Sequence, residues 1–119
     1  MKWFRLTLGL LFALNGLCML VVPRQWYGAV PGVAATGAFN AHFVRDIGVA
    51  YALCGLAFGL LAVRSDARPY ALAGCAFLLA HGGIHVFEVV AGLHDFAHLL
   101  VDLPGVLLLP LAACWAARR

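Results

Sequence analysis

The sequence predicts an all-α protein, an integral membrane bundle of four transmembrane helices, on two observations. Hydrophobic residues make up 65% of the 119 residues and charged residues only 11%, and the mean hydropathy is +0.97. A soluble domain of this size would need more charge, because a small globule has a large surface to solvate. In addition, the chain holds four apolar segments of about 20 residues, the length that spans a bilayer as a helix. We expect residues 1–119 to form a single transmembrane domain.

Breakers and charges set the limits of the four helices, which we predict at about residues 3–22, 42–63, 70–90 and 98–117. The first segment ends at Pro23 and Arg24, and the third ends before Gly92 and Asp95. The second and third helices are joined by a short polar turn, RSDARP, which makes them antiparallel neighbours. Residues 23–41 are long for a connection and are expected to form an interfacial segment or a lid.

The basic residues predict the orientation of the chain, because short cytoplasmic loops are enriched in Lys and Arg. Two of them, Arg24 and Arg45, fall on one side of the predicted bundle, and the other six fall on the opposite side with both termini. We therefore predict a multi-pass protein of the bacterial cytoplasmic (inner) membrane with both termini inside. The N-terminal apolar run has no A-x-A cleavage site, so we interpret it as a retained helix. Nothing in the sequence indicates a nucleic-acid partner.

Two further patterns concern helix packing. Small residues on the second helix share one face and let another helix approach closely, either inside the bundle or in a homo-oligomer; they are Gly48, Ala52, Gly55 and Gly59. The stretches HFVRDIG (42–48) and HLLVDLPG (98–105) each open a predicted helix with His, three residues and Asp. They raise the hypothesis of two repeated helical hairpins whose polar motifs face each other.

Polar residues concentrate in what the predicted topology makes the outer half of the bundle. On the third helix, His85 and Glu88 lie within about 40° of His81, so the three share one stripe. A second stripe holds His42 and Asp46, and a third runs from the loop into the last helix. The third stripe comprises His94, His98 and Asp102. Since an ionised acid in a membrane helix is costly, such groups turn inward and find partners.

This combination of imidazoles and carboxylates predicts a metal site. Neutral imidazoles bind divalent transition metals, carboxylates balance the charge, and helical bundles assemble such sites from several helices. The candidate ligands are His42, Asp46, His81, His85, Glu88, His98 and Asp102. No H-E-x-x-H motif is present. Haem held by histidines of two helices, with Gly82 and Gly83 making room for the ring, is a variant of the same hypothesis.

Several functional hypotheses remain open at this point. The metal or redox cofactor could serve a membrane redox enzyme, or the chain could be a subunit of a larger membrane complex. Alternatively, the protein is a non-enzymatic accessory or structural membrane protein, whose polar cluster only fixes helix packing or a partner contact. A lipid or quinone pocket is a third hypothesis. The four cysteines lie one per helix without a C-x-x-C pair, which favours packing residues.

One stretch resembles a known group of proteins. FNAHFVRDIGVAYALCG (39–55) is similar to a segment of small bacterial four-helix membrane proteins of uncharacterised function. The similarity extends less strongly to the H-x-x-x-H-x-x-E pattern of the third helix. It implies a four-helix integral membrane fold, and it implies no activity, substrate or ligand.

Overall fold

The computed structural model describes residues 1–119 and contains helices and no strands. Its five helices are α1 (Lys2–Val21), α2 (Pro23–Ala29), α3 (Ala41–Val63), α4 (Arg68–Val90) and α5 (Phe96–Arg118). All except α2 are long and apolar enough to cross a membrane. The four predicted helices are therefore confirmed, with every boundary within two residues of its predicted position. The protein has the make-up of a multi-pass membrane protein.

The long connection after α1 is more ordered than the sequence indicated, because it contains α2 and a short 3-10 turn, Val33–Ala35. Pro23 occupies the first turn of α2, where its missing N–H leaves no bond unmade. The Trp26 indole donates a hydrogen bond of 2.9 Å to Asn15 Oδ1 on α1. The Tyr27 hydroxyl is within hydrogen-bond range of the carbonyls of Ala34 and Gly37. The Trp26 bond holds the segment against α1, and the Tyr27 contacts hold the segment to itself.

Helices α1 and α3 pack with their backbones in direct contact. A Cβ added at Gly16 would lie 2.5 Å from the Gly48 carbonyl oxygen, and one added at Gly55 would lie 2.5 Å from the Ala13 nitrogen. Small residues, glycine above all, let helix backbones approach this closely. The small-residue face of α3 thus packs against α1 inside the bundle, which is the first of the two alternatives that the sequence left open.

Helix α5 contains a wide turn that positions its polar residues. Residues Leu103–Leu108 form a π-helical segment between two α-helical parts, Phe96–Asp102 and Leu109–Arg118. Pro104 lies in this segment and lacks the N–H that a regular helix would use there. Helix α4 packs closely on the wide turn, since a Cβ on Gly82 would come 2.7 Å from the Val106 carbonyl oxygen.

The two ends of the bundle differ in character. At the terminal end, which carries both chain termini and the α3–α4 turn, Arg5 donates hydrogen bonds to the carbonyls of Leu61 and Ala116 near two helix C-termini. In the α3–α4 turn, the hydrogen bond to Asp66 raises the pKa of the Arg64 guanidinium. We name the opposite end, with α2 and the α4–α5 turn, the histidine end.

All four cysteines are free thiols, and three are buried, which agrees with a packing role.

Candidate metal centre

Four of the five histidines form a continuous group at the histidine end. The His81 and His85 rings lie with centroids 4.9 Å apart, and the His85 ring is stacked at 6.5 Å on that of His98. The His98 ring is stacked in turn on that of His94 at 4.4 Å. Two of these residues come from α4, one comes from the α4–α5 turn and one from α5, so the group joins both helices.

Asp102 lies at the centre of this group. Its Oδ2 atom is 2.7 Å from His85 Nδ1 and 3.4 Å from His98 Nε2. It is the one buried charged residue of the chain. The ligand atoms of these three residues all lie within 4.8 Å of one another, so His85, His98 and Asp102 form a group that could hold a metal ion.

Local sequence places His98 and Asp102 on one side of α5. Asp95 caps the helix, its Oδ1 accepting a 2.9 Å hydrogen bond from the His98 backbone N–H. Because His98 and Asp102 are four residues apart, they lie one turn apart on the same face. The π-helical segment begins directly after Asp102, and such wide turns often occur at functional sites.

Backbone hydrogen bonds also fix the C-terminus of α4. Gly92 has φ +74°, its N–H donates to the Val89 carbonyl, and the Leu93 N–H donates to the Glu88 carbonyl. This is the Schellman arrangement of a helix C-terminus. It reverses the chain sharply enough to bring the α4 stripe opposite α5. His85 therefore meets Asp102 across the two helices.

Glu88 and His94 form a second polar pair beside the centre. Glu88 Oε2 lies 3.8 Å from His94 Nε2, and both side chains are partly buried. Since His94 also stacks on His98, it connects Glu88 to the group of three. His94 belongs to a predicted polar stripe, but it was not among the predicted metal ligands.

The loop after α2 covers the group. Gly32 has φ +85°, and a Cβ built there would lie 3.4 Å from both Asp102 Oδ1 and His98 Cε1. A backbone segment therefore lies directly over the cluster, at a position where side chains are disfavoured. The sequence predicted a lid in this region without indicating which residues it would cover.

His98 carries the clearest unsatisfied group in the protein. Its side chain is only 9% exposed, and its Nε2 atom is the only buried side-chain nitrogen or oxygen without a hydrogen-bond partner. The 3.4 Å approach to Asp102 Oδ2 does not satisfy it. Leaving a buried polar atom unpaired costs about 1 to 3 kcal/mol, which a metal bond would offset.

Of the remaining predicted ligands, two lie apart from the group of three and one lies at its edge. His42 and Asp46 pair with each other at 3.4 Å on the exposed surface of α3. His81 stacks on Phe77 and contacts His85, at the edge of the group. Gly82, proposed to make room for haem, instead contacts Val106 of α5.

The two His-x-x-x-Asp motifs thus make the same contact, 3.4 Å between ring nitrogen and carboxylate, in different settings. One pair is exposed on α3 and the other is buried between helices. The structure does not test the repeated-hairpin hypothesis itself, which stays a prediction.

A cavity of about 750 Å³ adjoins the group. It is bounded by α1, the segment after it, α3, α4 and α5, and its lining is mostly hydrophobic. The polar side chains that reach it from α4 and α5 are His81, His85, Glu88 and Asp102. The candidate centre is thus open on one side to a space large enough for a small molecule.

Comparison with protein-family models, with curated proteins and with solved structures finds no match to this chain.

Proposed function

We propose that this chain is a multi-pass protein of the bacterial cytoplasmic membrane that binds a divalent transition metal ion through His85, His98 and Asp102. One observation carries the proposal: the buried His98 Nε2 atom has no hydrogen-bond partner and points toward an acidic group with which it can share an ion. When His98 carries its proton on Nδ1, its Nε2 atom offers a lone pair that no protein donor uses and that a metal ion can accept.

The spacing of the donors supports a metal over a simple ion pair. Ligands at about 2.1 Å from a tetrahedral ion lie about 3.4 Å from each other, and the distance from His98 Nε2 to Asp102 Oδ2 is 3.4 Å. The His85 Nδ1 atom is closer to Asp102, at hydrogen-bond distance. A shift of the His85 ring by less than about 1 Å would open that contact to ligand spacing.

The donor set also narrows the choice of metal. Two imidazoles and one carboxylate suit Zn²⁺ or Fe²⁺, and three protein ligands leave at least one position for water or substrate. The open side toward the cavity is suited to that position. Fe²⁺ would support the predicted role in a membrane redox enzyme or as a subunit of one, whereas Zn²⁺ would support hydrolytic or structural chemistry.

Residues around the centre would tune such a site. A divalent ion with one carboxylate keeps a net positive charge, which is unfavourable in an apolar bundle. Glu88 lies behind His94, whose ring stacks on the ligand His98. This pair would provide compensating negative charge and orient the His98 ring, a role in which substitutions usually lower metal affinity 10- to 100-fold.

The test is the metal content of protein purified in mild detergent. We expect one bound ion per chain in the wild type, and loss of that ion in both His98→Gln and Asp102→Asn. His42→Gln is the matched control, because His42 also approaches an Asp at 3.4 Å but lies on the surface. An equal metal content in all variants, or no metal in the wild type after growth with Zn²⁺ or Fe²⁺, would contradict the proposal.

A second candidate function is favoured by the 2.7 Å contact between His85 Nδ1 and Asp102 Oδ2. In that reading the polar cluster only fixes α4 against α5, and the protein is a non-enzymatic accessory or structural membrane protein. A buried ion pair of this kind can specify helix register without adding much stability. Metal-free protein whose partner binding depends on Asp102 would support this alternative.

The proposal includes the lipid contacts, the partners and the orientation of the chain in the membrane. The outward faces of α1, α3 and α5 expose large apolar side chains such as Trp3, Leu53 and Leu111, which suits contact with lipid tails. The same faces could receive a second copy of the chain or other subunits of a membrane complex. The distribution of Lys and Arg supports both termini in the cytoplasm and the histidine end outside.

A further inference from the structure

The cavity beside the metal centre has a polar side and an apolar body. From α4 and α5 it receives His81, His85, Glu88 and Asp102. Elsewhere the lining is mostly aliphatic and aromatic, contributed by α1, α3 and the segment between them. Its volume of about 750 Å³ lies within the range of sites that enclose small ligands, about 300 to 1,000 Å³. Such a shape fits an amphipathic molecule.

Charge restricts the head group of that molecule. No Lys or Arg lines the cavity, although the chain has eight such residues. Arg24 lies over the Phe39 ring, and Arg45 donates to the Leu20 carbonyl, so the two basic residues nearest in sequence are engaged elsewhere. Two carboxylates, Glu88 and Asp102, do line it. In the metal-free protein, a phosphate or carboxylate head would therefore meet repulsion without a compensating cation.

Hydrogen-bonding groups suited to a neutral head are present. Tyr51 is buried and lines the cavity, and its ring packs edge-on against Phe77 and His81. Its hydroxyl can donate to a carbonyl or accept from a hydroxyl, as can the imidazole of His81. No protein group bonds the Tyr51 hydroxyl, and this oxygen is not a fully buried atom, so it is free to bond a molecule in the cavity.

We propose that this cavity binds a neutral lipid-like molecule whose head carries a hydroxyl or carbonyl oxygen, with the head toward Tyr51 and His81 and the apolar body against α1 and α3. The class includes quinones and quinols as well as uncharged glycerolipids, which share this chemistry. The proposal depends on the cavity and on its charge in the metal-free protein, and it does not require that His98 bind a metal.

Trp26 provides the readout, because it lines the cavity, whereas Trp3 and Trp115 lie at the terminal end. Two probes are titrated into chelator-treated, metal-free protein in nanodiscs: a long-chain alcohol with a terminal bromine, and the ionised fatty acid of the same length with the same bromine. Bromine quenches indole fluorescence at short range. We expect saturable quenching of Trp26 by the alcohol, and with the fatty acid only the quenching that Trp26→Phe also shows.

Two variants give the experiment its controls. Tyr51→Phe keeps the ring contacts and removes the hydroxyl, so the midpoint for the alcohol should rise roughly two- to tenfold, the effect of one hydrogen bond. His98→Gln removes the metal ligand without changing the cavity wall, since His98 does not line it. Binding of the alcohol should therefore persist in His98→Gln even where metal is lost, which separates this proposal from the metal site.

The proposal is overturned if the fatty acid quenches Trp26 as well as the alcohol does, or if the alcohol quenches the wild type no more than Trp26→Phe. It is also overturned if Tyr51→Phe and the wild type have the same midpoint. Competition of the bound alcohol by a short-tailed quinone or by a diacylglycerol then identifies which neutral source the cavity prefers.

Discussion

His85 Nδ1 and Asp102 Oδ2 lie 2.7 Å apart on two different helices, a hydrogen-bond distance that joins the end of α4 to the start of α5. The same Asp102 oxygen is 3.4 Å from His98 Nε2, which is close to the spacing of two ligands on one ion. Asp102 thus makes one contact typical of an ion pair and one typical of a metal site. A shift of the His85 ring by less than about 1 Å would bring its contact with Asp102 to the same ligand spacing.

This relationship predicts a strong energetic coupling between His85 and Asp102. Removing one partner of a buried pair leaves an uncompensated group, so Asp102→Ala should lower the free energy of unfolding by about 3 kcal/mol. His85→Ala combined with Asp102→Ala should cost less than the sum of the two single changes. Unfolding in mixed micelles would measure this cycle, and His42→Ala with Asp46→Ala on the exposed face of α3 should show almost no coupling.

The glycine contacts between α1 and α3 predict opposite effects for two similar substitutions on α3. Gly55→Ala would place a Cβ 2.5 Å from the Ala13 backbone nitrogen. We therefore expect overpacking to lower the free energy of unfolding by about 2 kcal/mol. At Gly59 an added Cβ meets nothing within 4 Å, so Gly59→Ala should be neutral or slightly stabilising. Thermal unfolding in detergent distinguishes the two, and equal effects would refute the backbone contact.

Substitution of Gly32, in the loop over the cluster, should lower both the stability of the protein and its retention of metal. Gly32→Ala forces a side chain into φ +85°, which costs about 1 to 2 kcal/mol, and brings its Cβ against Asp102 and His98. We expect faster release of bound metal to a chelator as well as lower stability. Gly28→Ala is the control, because Gly28 lies in α2 with nothing within 4 Å of an added Cβ. Identical chelation rates would show that the loop does not cover the site.

Orientation in the membrane can be measured with single cysteines in a Cys18→Ala background, which removes the one exposed native thiol. Ser65→Cys in the α3–α4 turn and Thr36→Cys after α2 are both exposed. With both termini in the cytoplasm, a membrane-impermeant maleimide should label Thr36→Cys in intact spheroplasts and label Ser65→Cys only after lysis. The reverse pattern would invert the proposed topology.

The helices were predictable because each depends on a local signal. Runs of about 20 apolar residues, ended by Pro23 or Gly92, define spans without reference to any neighbour. Helical phase likewise placed His98 and Asp102 on one face of one helix. These features are set by chain geometry over a few residues, and the structure agrees with them.

The assembly of the site was less predictable, because it depends on how helices rotate against each other. By depth and residue type, the His42–Asp46 pair was as good a candidate for metal binding as the His98–Asp102 pair. The structure leaves the first pair exposed and buries the second. The cause is the glycine face of α3, which packs on α1 and turns the opposite face, with His42 and Asp46, away from the bundle. Sequence showed that face without showing which helix it would meet.

The π-helical segment of α5 has a consequence for how this chain can vary. A turn with one extra residue puts the parts of the helix before and after it out of step by about 100°. Asp102 therefore faces α4 while Ala113, Ala116 and Ala117 fill the core below. Deleting one residue between 103 and 108 would restore a regular helix. Either Asp102 or the alanine face would then rotate out of its buried position. Related chains that keep the cluster should therefore conserve the length of this segment more strictly than its side chains.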